Sequence, residues 1–164
     1  MTILIKNKHT LQIDEFKFRC SIGKKGTTKK KKEGDKKTPK GTFEIENLYF
    51  RKDRKEKPST LLKCIQIKKD MGWCNDVRFP KKYNKIFKID KKIKHEKLKR
   101  KDYKYDLLIP IKYNFNKPIT GKGSCIFIHL TIDYKPTAGC VALREKDLLI
   151  MLKLIKKDSK IKIF

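Results

Sequence analysis

Arginine and alanine are nearly missing from this chain. Six of its 45 basic residues are Arg against 39 Lys, and Ala occurs only at Ala138 and Ala142. Arg is the side chain that forks onto phosphates and base edges. Its scarcity argues against a nucleic-acid partner despite a formal charge of +27. High Lys with low Ala and Arg is what AT-rich codons produce. The surplus charge therefore reads first as coding bias on a solvated surface, and second as a site for an anionic polymer. Long apolar runs are absent as well: none approaches the roughly 18 residues of a membrane span. The opening MTILIKNKHTLQIDEFKF has too short an apolar run for a signal peptide, so nothing in the chain is expected to direct export. CxxC spacing is missing. Cys20, Cys64, Cys74, Cys125 and Cys140 stand too far apart for zinc-ribbon or thioredoxin-like readings, and no metal or other cofactor is expected. An odd number of thiols leaves at least one without an intramolecular partner, and the default for most is a small buried hydrophobe.

With 164 residues and neither a repeat nor a domain boundary, the chain is expected to form one domain over 1–164. TILI and TLQI flank KNKH as a hairpin, and FKFRCSIG follows as a third strand. Gly23–Gly41 holds a Lys run among glycines and shows no periodicity, so it reads as a loop with solvated lysines. It lacks the GxxxxGK[ST] pattern of a phosphate loop. GTFEIENLYF and TLLKCIQIK return to strand character. DMGWCNDVRFPKKYNKIFKI mixes Gly, Pro and aromatics and reads as a long ordered loop. KHEKLKRKDYKYDLLIPIKYN is expected to open with a helical turn and close as a strand, with Pro110 at an edge or a bulge. SCIFIHL, short and unbroken, is the expected central strand. Leu148, Leu149, Leu152 and Ile155 make an apolar stripe, which predicts a helix over Arg144–Lys157 with Lys156 and Lys157 in its last turn. KIKIF closes the chain as a strand. The pattern is mostly β with one main helix.

Cys140 stands behind a Thr-x-Gly lead-in, eleven residues after His129. A thiol attacks a carbonyl as thiolate, and an imidazole brought beside it lowers its pKa and returns the proton to the leaving amine. Gly139 allows a tight turn that presents the thiol. A helix after Cys140 would add N–H groups and a positive dipole end. The plain alternative is a buried cysteine and a surface histidine at a strand end, and spacing alone does not choose between them. His9 and His95 read as solvated.

IHLTIDYKPTAGCVAL resembles the active-site signature of the L,D-transpeptidase catalytic domain, the YkuD family: a histidine, about ten residues, then Ser/Thr-x-Gly-Cys. GKKGTTKKKKEGDKKTPKGTFEI resembles that family's Gly-Asp-x-x-Thr-Pro-x-Gly-x-Phe segment. GWCNDVRFPKKYNKIF, HEKLKRKDYKYDLLIPIKYN and GKGSCIFIHL follow in the order of a small single-domain branch. The resemblance implies a mostly β, sandwich-like domain of mixed sheets with one main helix after the nucleophile. It implies that the partner is the stem peptide of peptidoglycan, and that the protein resides in the periplasm or cell wall. Cys140 would form a thioester and His129 would serve as base and then acid. Thr137 and Gly139 would position the substrate, with backbone N–H groups near Gly139 and Cys140 as the oxyanion hole. Cys140 is expected as thiolate beside a protonated His129, which would give a bell-shaped pH profile.

Two positions depart from the family's common pattern. Leu130 stands where many members have Gly, and Ala142 where many have Arg. The second leaves a substrate carboxylate to other groups, the lysines of Gly23–Gly41 among them. Asp133 is not expected to act as a triad acid. The expected activity is a cysteine L,D-transpeptidase of cell-wall biogenesis, acting as a monomer. The alternatives are an L,D-carboxypeptidase of the same fold and a non-catalytic basic module that binds anionic wall polymer or nucleic acid.

Overall fold

The computed structural model describes residues 1–164. Alternation of buried positions in β1 (Thr2–Ile5), β2 (Thr10–Ile13) and β15 (Lys160–Ile163) builds, with β3 (Phe16–Arg19) and β6 (Gly41–Glu44) at the edges, a five-stranded sheet in the order β3-β2-β1-β15-β6. The N-terminal hairpin, the third strand and the closing strand lie where the sequence placed them. Between them β4 (Thr27–Thr28) and β5 (Thr38–Pro39) pair in parallel.

A second five-stranded sheet has the order β14-β13-β12-β7-β8, from β7 (Leu48–Phe50), β8 (Cys64–Gln66), β12 (Leu107–Pro110), β13 (Phe127–Leu130) and β14 (Val141–Leu143). All of these but the edge strand β8 are buried on both faces, so they read as near-continuous apolar runs. One face, with Leu107, Ile109, Ile128, Leu130, Val141 and Leu143, packs against the first sheet and the helix α1 (Glu145–Leu154). The other, with Tyr49, Leu108, Phe127 and Cys140, packs with Trp73 and Leu98 into a smaller cluster. The fold is a mostly β sandwich of mixed sheets with one helix.

Four expectations are corrected. DMGWCNDVRFPKKYNKIFKI is not a loop: β9 (Met71–Cys74) and β10 (Ile86–Lys88) pair within it, and β11 (His95–Lys97) completes a three-stranded sheet. β11 also replaces the helical turn expected at the start of KHEKLKRK. The helix ends at Leu154, because Ile155 turns extended and stays buried, so Lys156 and Lys157 lie beyond its last turn. His95 is not solvated: its Nδ1 bonds the Ile93 carbonyl at 2.6 Å, and its Nε2 is buried without a partner.

Pro110 lies on an interior strand, at a bulge. Leu108 faces Tyr49 and Ile111 faces Ile45, so three steps on one strand oppose four on the other. The ladder is offset there and asks no N–H of Pro110, whose carbonyl accepts from Glu46 N–H at 2.9 Å.

Candidate active site

The two-residue period of a strand sets the site. On β13, Ile128 and Leu130 point into the main core, which leaves Phe127 and His129 on the opposite face. β14 runs parallel with Val141 opposite Ile128 and Ala142 opposite His129. Cys140 therefore extends the ladder opposite Phe127, whose N–H donates to Cys140 Sγ at 3.4 Å. Cys140 and His129 are diagonal neighbours on one face of adjacent strands, about 8 Å apart by strand spacing and rise. Both line a cavity of about 430 Å³, and no hydrogen bond joins them directly.

Backbone carbonyls fix both groups. His129 Nδ1 lies 2.9 Å from the Leu130 carbonyl, which can only accept, so Nδ1 carries the proton. Nε2 then keeps its lone pair and has no protein partner at the cavity. The Cys140 thiol donates to the Cys125 carbonyl at 3.2 Å. Cys125, which supplies that carbonyl, holds φ at +55°.

Burial pushes the Cys140 thiol from 9.0 up to about 12; the Phe127 N–H and the more distant Lys31 ammonium oppose that shift, and the Glu96 carboxylate adds to it. Burial also lowers His129 from 6.5 to about 4. The Leu130 carbonyl opposes that shift, and the charges of Lys104 and Arg100 add to it. Burial favours the neutral form of both groups, so the thiolate–imidazolium pair that the sequence expects for activity has to form against desolvation. A low-dielectric wall disfavours two separated charges more than it favours their attraction. Thiol acidity does not single out Cys140, since burial raises Cys20 to about 12 as well. Cys125 lines the cavity too, and what distinguishes Cys140 is its register on the strand beside His129.

The turn before the thiol is held by the Gly23–Gly41 loop. Thr38 Oγ1 accepts from Gly23 N–H and donates to the Gly139 carbonyl, each at 2.8 Å. Thr137 N–H bonds the Ile22 carbonyl, and Lys24 N–H bonds the Thr137 carbonyl. Gly139 sits at φ +142°, where a Cβ would lie 2.9 Å from the Lys37 carbonyl oxygen. A Cβ on Gly23 would lie 2.6 Å from the Lys36 carbonyl oxygen. Both glycines permit backbone against backbone. Thr137 Oγ1 donates to the Cys140 carbonyl at 2.6 Å and accepts from Gly139 N–H at 3.1 Å. Gly139 N–H is thereby occupied, whereas the N–H of Cys140 has no partner.

The helix dipole does not reach the thiol. The three residues of β14 separate them by about 10 Å, and the dipole's effect fades within the first turn. Leu130, the first departure, fills the main core with its side chain on the face away from His129 and serves the site through its backbone, the carbonyl on His129 Nδ1 and the N–H on the Lys104 carbonyl.

Other cavity residues carry no sequence signal. Lys31, read from the sequence as solvated, is 5% exposed and ion-pairs with Asp35 at 2.6 Å. Glu33 accepts from Ser124 Oγ at 2.6 Å and from Tyr83, which ties the loop to residues 121–125. Arg100, Lys104 and Tyr105 form the opposite wall, with the Tyr105 ring 5.5 Å from that of His129. Arg51 and Arg54 bolt that wall in place. Arg51 donates to the Arg100 carbonyl, and Arg54 to those of Lys101 and Asp102. Asp133 pairs with Lys135 at 3.1 Å and makes no bond to His129. Three His, Cys, Asp or Glu side chains nowhere converge as a metal site would require.

The profile of the L,D-transpeptidase catalytic domain family, YkuD, matches residues 1–163. No curated protein matches the chain. A chain in the structure of Bdellovibrio bacteriovorus Bd1075 is similar at 17% identity and a TM-score of 0.45, over 99% of this chain and 47% of that one. The present chain thus spans about half the length of that protein.

Proposed function

Because this chain belongs to the L,D-transpeptidase catalytic domain family, whose members act on peptidoglycan peptides, we propose that it is a cysteine acyltransferase that cuts an L-to-D bond of a stem peptide through a thioester on Cys140. One observation carries the reading. Cys140 and a Nδ1–H tautomer of His129 share one face of adjacent strands at one cavity.

The attacked carbonyl and its leaving nitrogen occupy the gap between sulfur and imidazole. As the S–C bond forms, the thiol proton leaves the Cys125 carbonyl for His129 Nε2. The developing oxyanion is received by the free Cys140 N–H. Collapse breaks the C–N bond, and Nε2 returns the proton to the leaving amine. Charge separation is confined to the reacting complex, where the oxyanion offsets the imidazolium. An amine from a second stem resolves the thioester in transfer, or water does so in hydrolysis.

Purified tetrapeptide muropeptides test the activity, with products read by mass. Loss of the terminal residue with formation of a cross-linked dimer supports transfer, and a tripeptide alone supports hydrolysis. Unchanged muropeptides refute the reading. No helix is long and apolar enough to cross a membrane; the proposed substrate implies action in the periplasm or cell wall.

A further inference from the structure

Four cations line the cavity, and three are already engaged. Lys31 is paired with Asp35 at 2.6 Å. Arg100 gives Nε and one terminal nitrogen to Asp102, lies 3.7 Å from Glu96 with the other, and stacks on the Tyr105 ring at 4.9 Å. Lys135 is paired with Asp133 at 3.1 Å. Lys104 differs: only its backbone is bonded. Its N–H donates to Asp102, and its carbonyl accepts from Leu130 N–H at 3.0 Å. The cavity's carboxylates are engaged as well, Glu33 by Ser124 and Tyr83, Glu96 by Arg100, and Asp133 by Lys135. The Lys104 ammonium is thus the one cation on the wall with no carboxylate partner.

Its backbone is fixed in the fold, and its side chain is exposed at the cavity. The bond to Leu130 sets the Lys104 backbone beside the residue that follows His129, and Tyr105, next in the chain, packs on the His129 ring. Arg54 pins the preceding carbonyls of Lys101 and Asp102 at 2.8 Å. On the facing strand Ala142, opposite His129, offers only a methyl group.

Chemistry links this position to the leaving group. In the terminal residue of a peptide the carboxylate is joined to the nitrogen through a single carbon. A cation that binds that carboxylate must therefore stand beside the acid that protonates the nitrogen. That acid is His129 on the reading above, and the free cation beside it is Lys104. We infer that Lys104 receives the free α-carboxylate of the leaving residue and so restricts the enzyme to the last peptide bond of a stem. This rests on the proposed L,D-acyl transfer. The step is unchanged: the S–C bond forms, the C–N bond breaks, the thiol proton passes through His129, and the departing amino acid carries its carboxylate away on Lys104.

The test uses two tetrapeptide stems that differ only at the C-terminus, one a carboxylate and one a carboxamide. kcat/KM is measured for the wild type, Lys104→Ala and Lys104→Arg. A charge-assisted contact predicts that the wild type favours the carboxylate about tenfold. Lys104→Ala should lose that preference by slowing on the carboxylate alone, and Lys104→Arg should keep it. A Lys104→Ala enzyme that still discriminates, or that falls equally on both peptides, overturns the inference. So does a wild type that does not discriminate, and in each case the transfer activity stands. A wild type that turns over neither peptide overturns the activity, and the inference with it.

Discussion

His129 should make the protein acid-sensitive in a narrow and assignable window. Burial holds its folded pKa at about 4 against an ordinary 6.5. Between those values the unfolded chain takes up a proton that the folded chain refuses. Acidification therefore drives unfolding, and the stability present above the upper value is lost as pH falls toward the lower one. The difference of about two and a half units corresponds to ~3 kcal/mol by about pH 4, a large part of the 5–15 kcal/mol typical of a domain. Other groups contribute in acid, among them Asp35 and Asp102, whose carboxyls are held below their ordinary value. Lys31 and the N–H groups of Lys32 and Lys37 lower the first against burial. Arg100 lowers the second. His129→Gln removes the imidazole and leaves those carboxylates, so the pH dependence of the difference between the two proteins isolates His129. Urea unfolding followed near pH 7 and again near pH 4 should show the wild type losing ~3 kcal/mol relative to the variant. A difference that stays constant with pH would mean that His129 titrates as in water and that burial does not favour its neutral form. In activity, the same shift moves the acid limb of kcat/KM from the ordinary imidazole range to about pH 4, with a plateau above it rather than a bell near pH 6.5.

Gly139→Ala should abolish acylation and cost about 1–3 kcal/mol of stability, since it forces a Cβ onto φ +142° and against the Lys37 carbonyl; wild-type activity would show that the turn is not held as described. Lys31→Ala leaves the half-buried Asp35 without its cation and should cost about 3 kcal/mol, with faster amide exchange across residues 23–41; unchanged exchange would refute the loop's dependence on the pair. Because the excess charge is read as a solvated surface, random-sequence DNA should bind weakly, and affinity should fall by about 10³ or more between 50 and 200 mM salt. A tight complex that survives high salt would instead identify a polyanion-binding face.

The sequence disclosed the elements whose burial pattern repeats. TILI, TLQI and KIKIF alternate, FIHL is unbroken, and the helical stripe keeps its period. The three-stranded sheet was hidden because MGWC, IFK and HEK are too short to show a period and contain Gly72 and charged residues. It forms through packing instead, with Trp73 edge-on to Phe127 at 5.2 Å. Within the site, Cys140 and His129 could be named from a motif, because their separation is short. The Arg51 and Arg54 forks that brace the Lys104 wall reach across about fifty positions and leave no local trace. The buried Lys31 was equally hidden, since one lysine in a Lys run looks like its solvated neighbours until Asp35 folds onto it.

The central claim is that Cys140 carries the acyl group. Incubation with a tetrapeptide stem, rapid acid quench and peptide mapping by mass should find the tripeptide acyl group on Cys140, labile to hydroxylamine as a thioester is. Cys140→Ala should carry none and turn over nothing. An acyl group on Cys20, Cys64, Cys74 or Cys125, or turnover that survives in Cys140→Ala, would contradict the account.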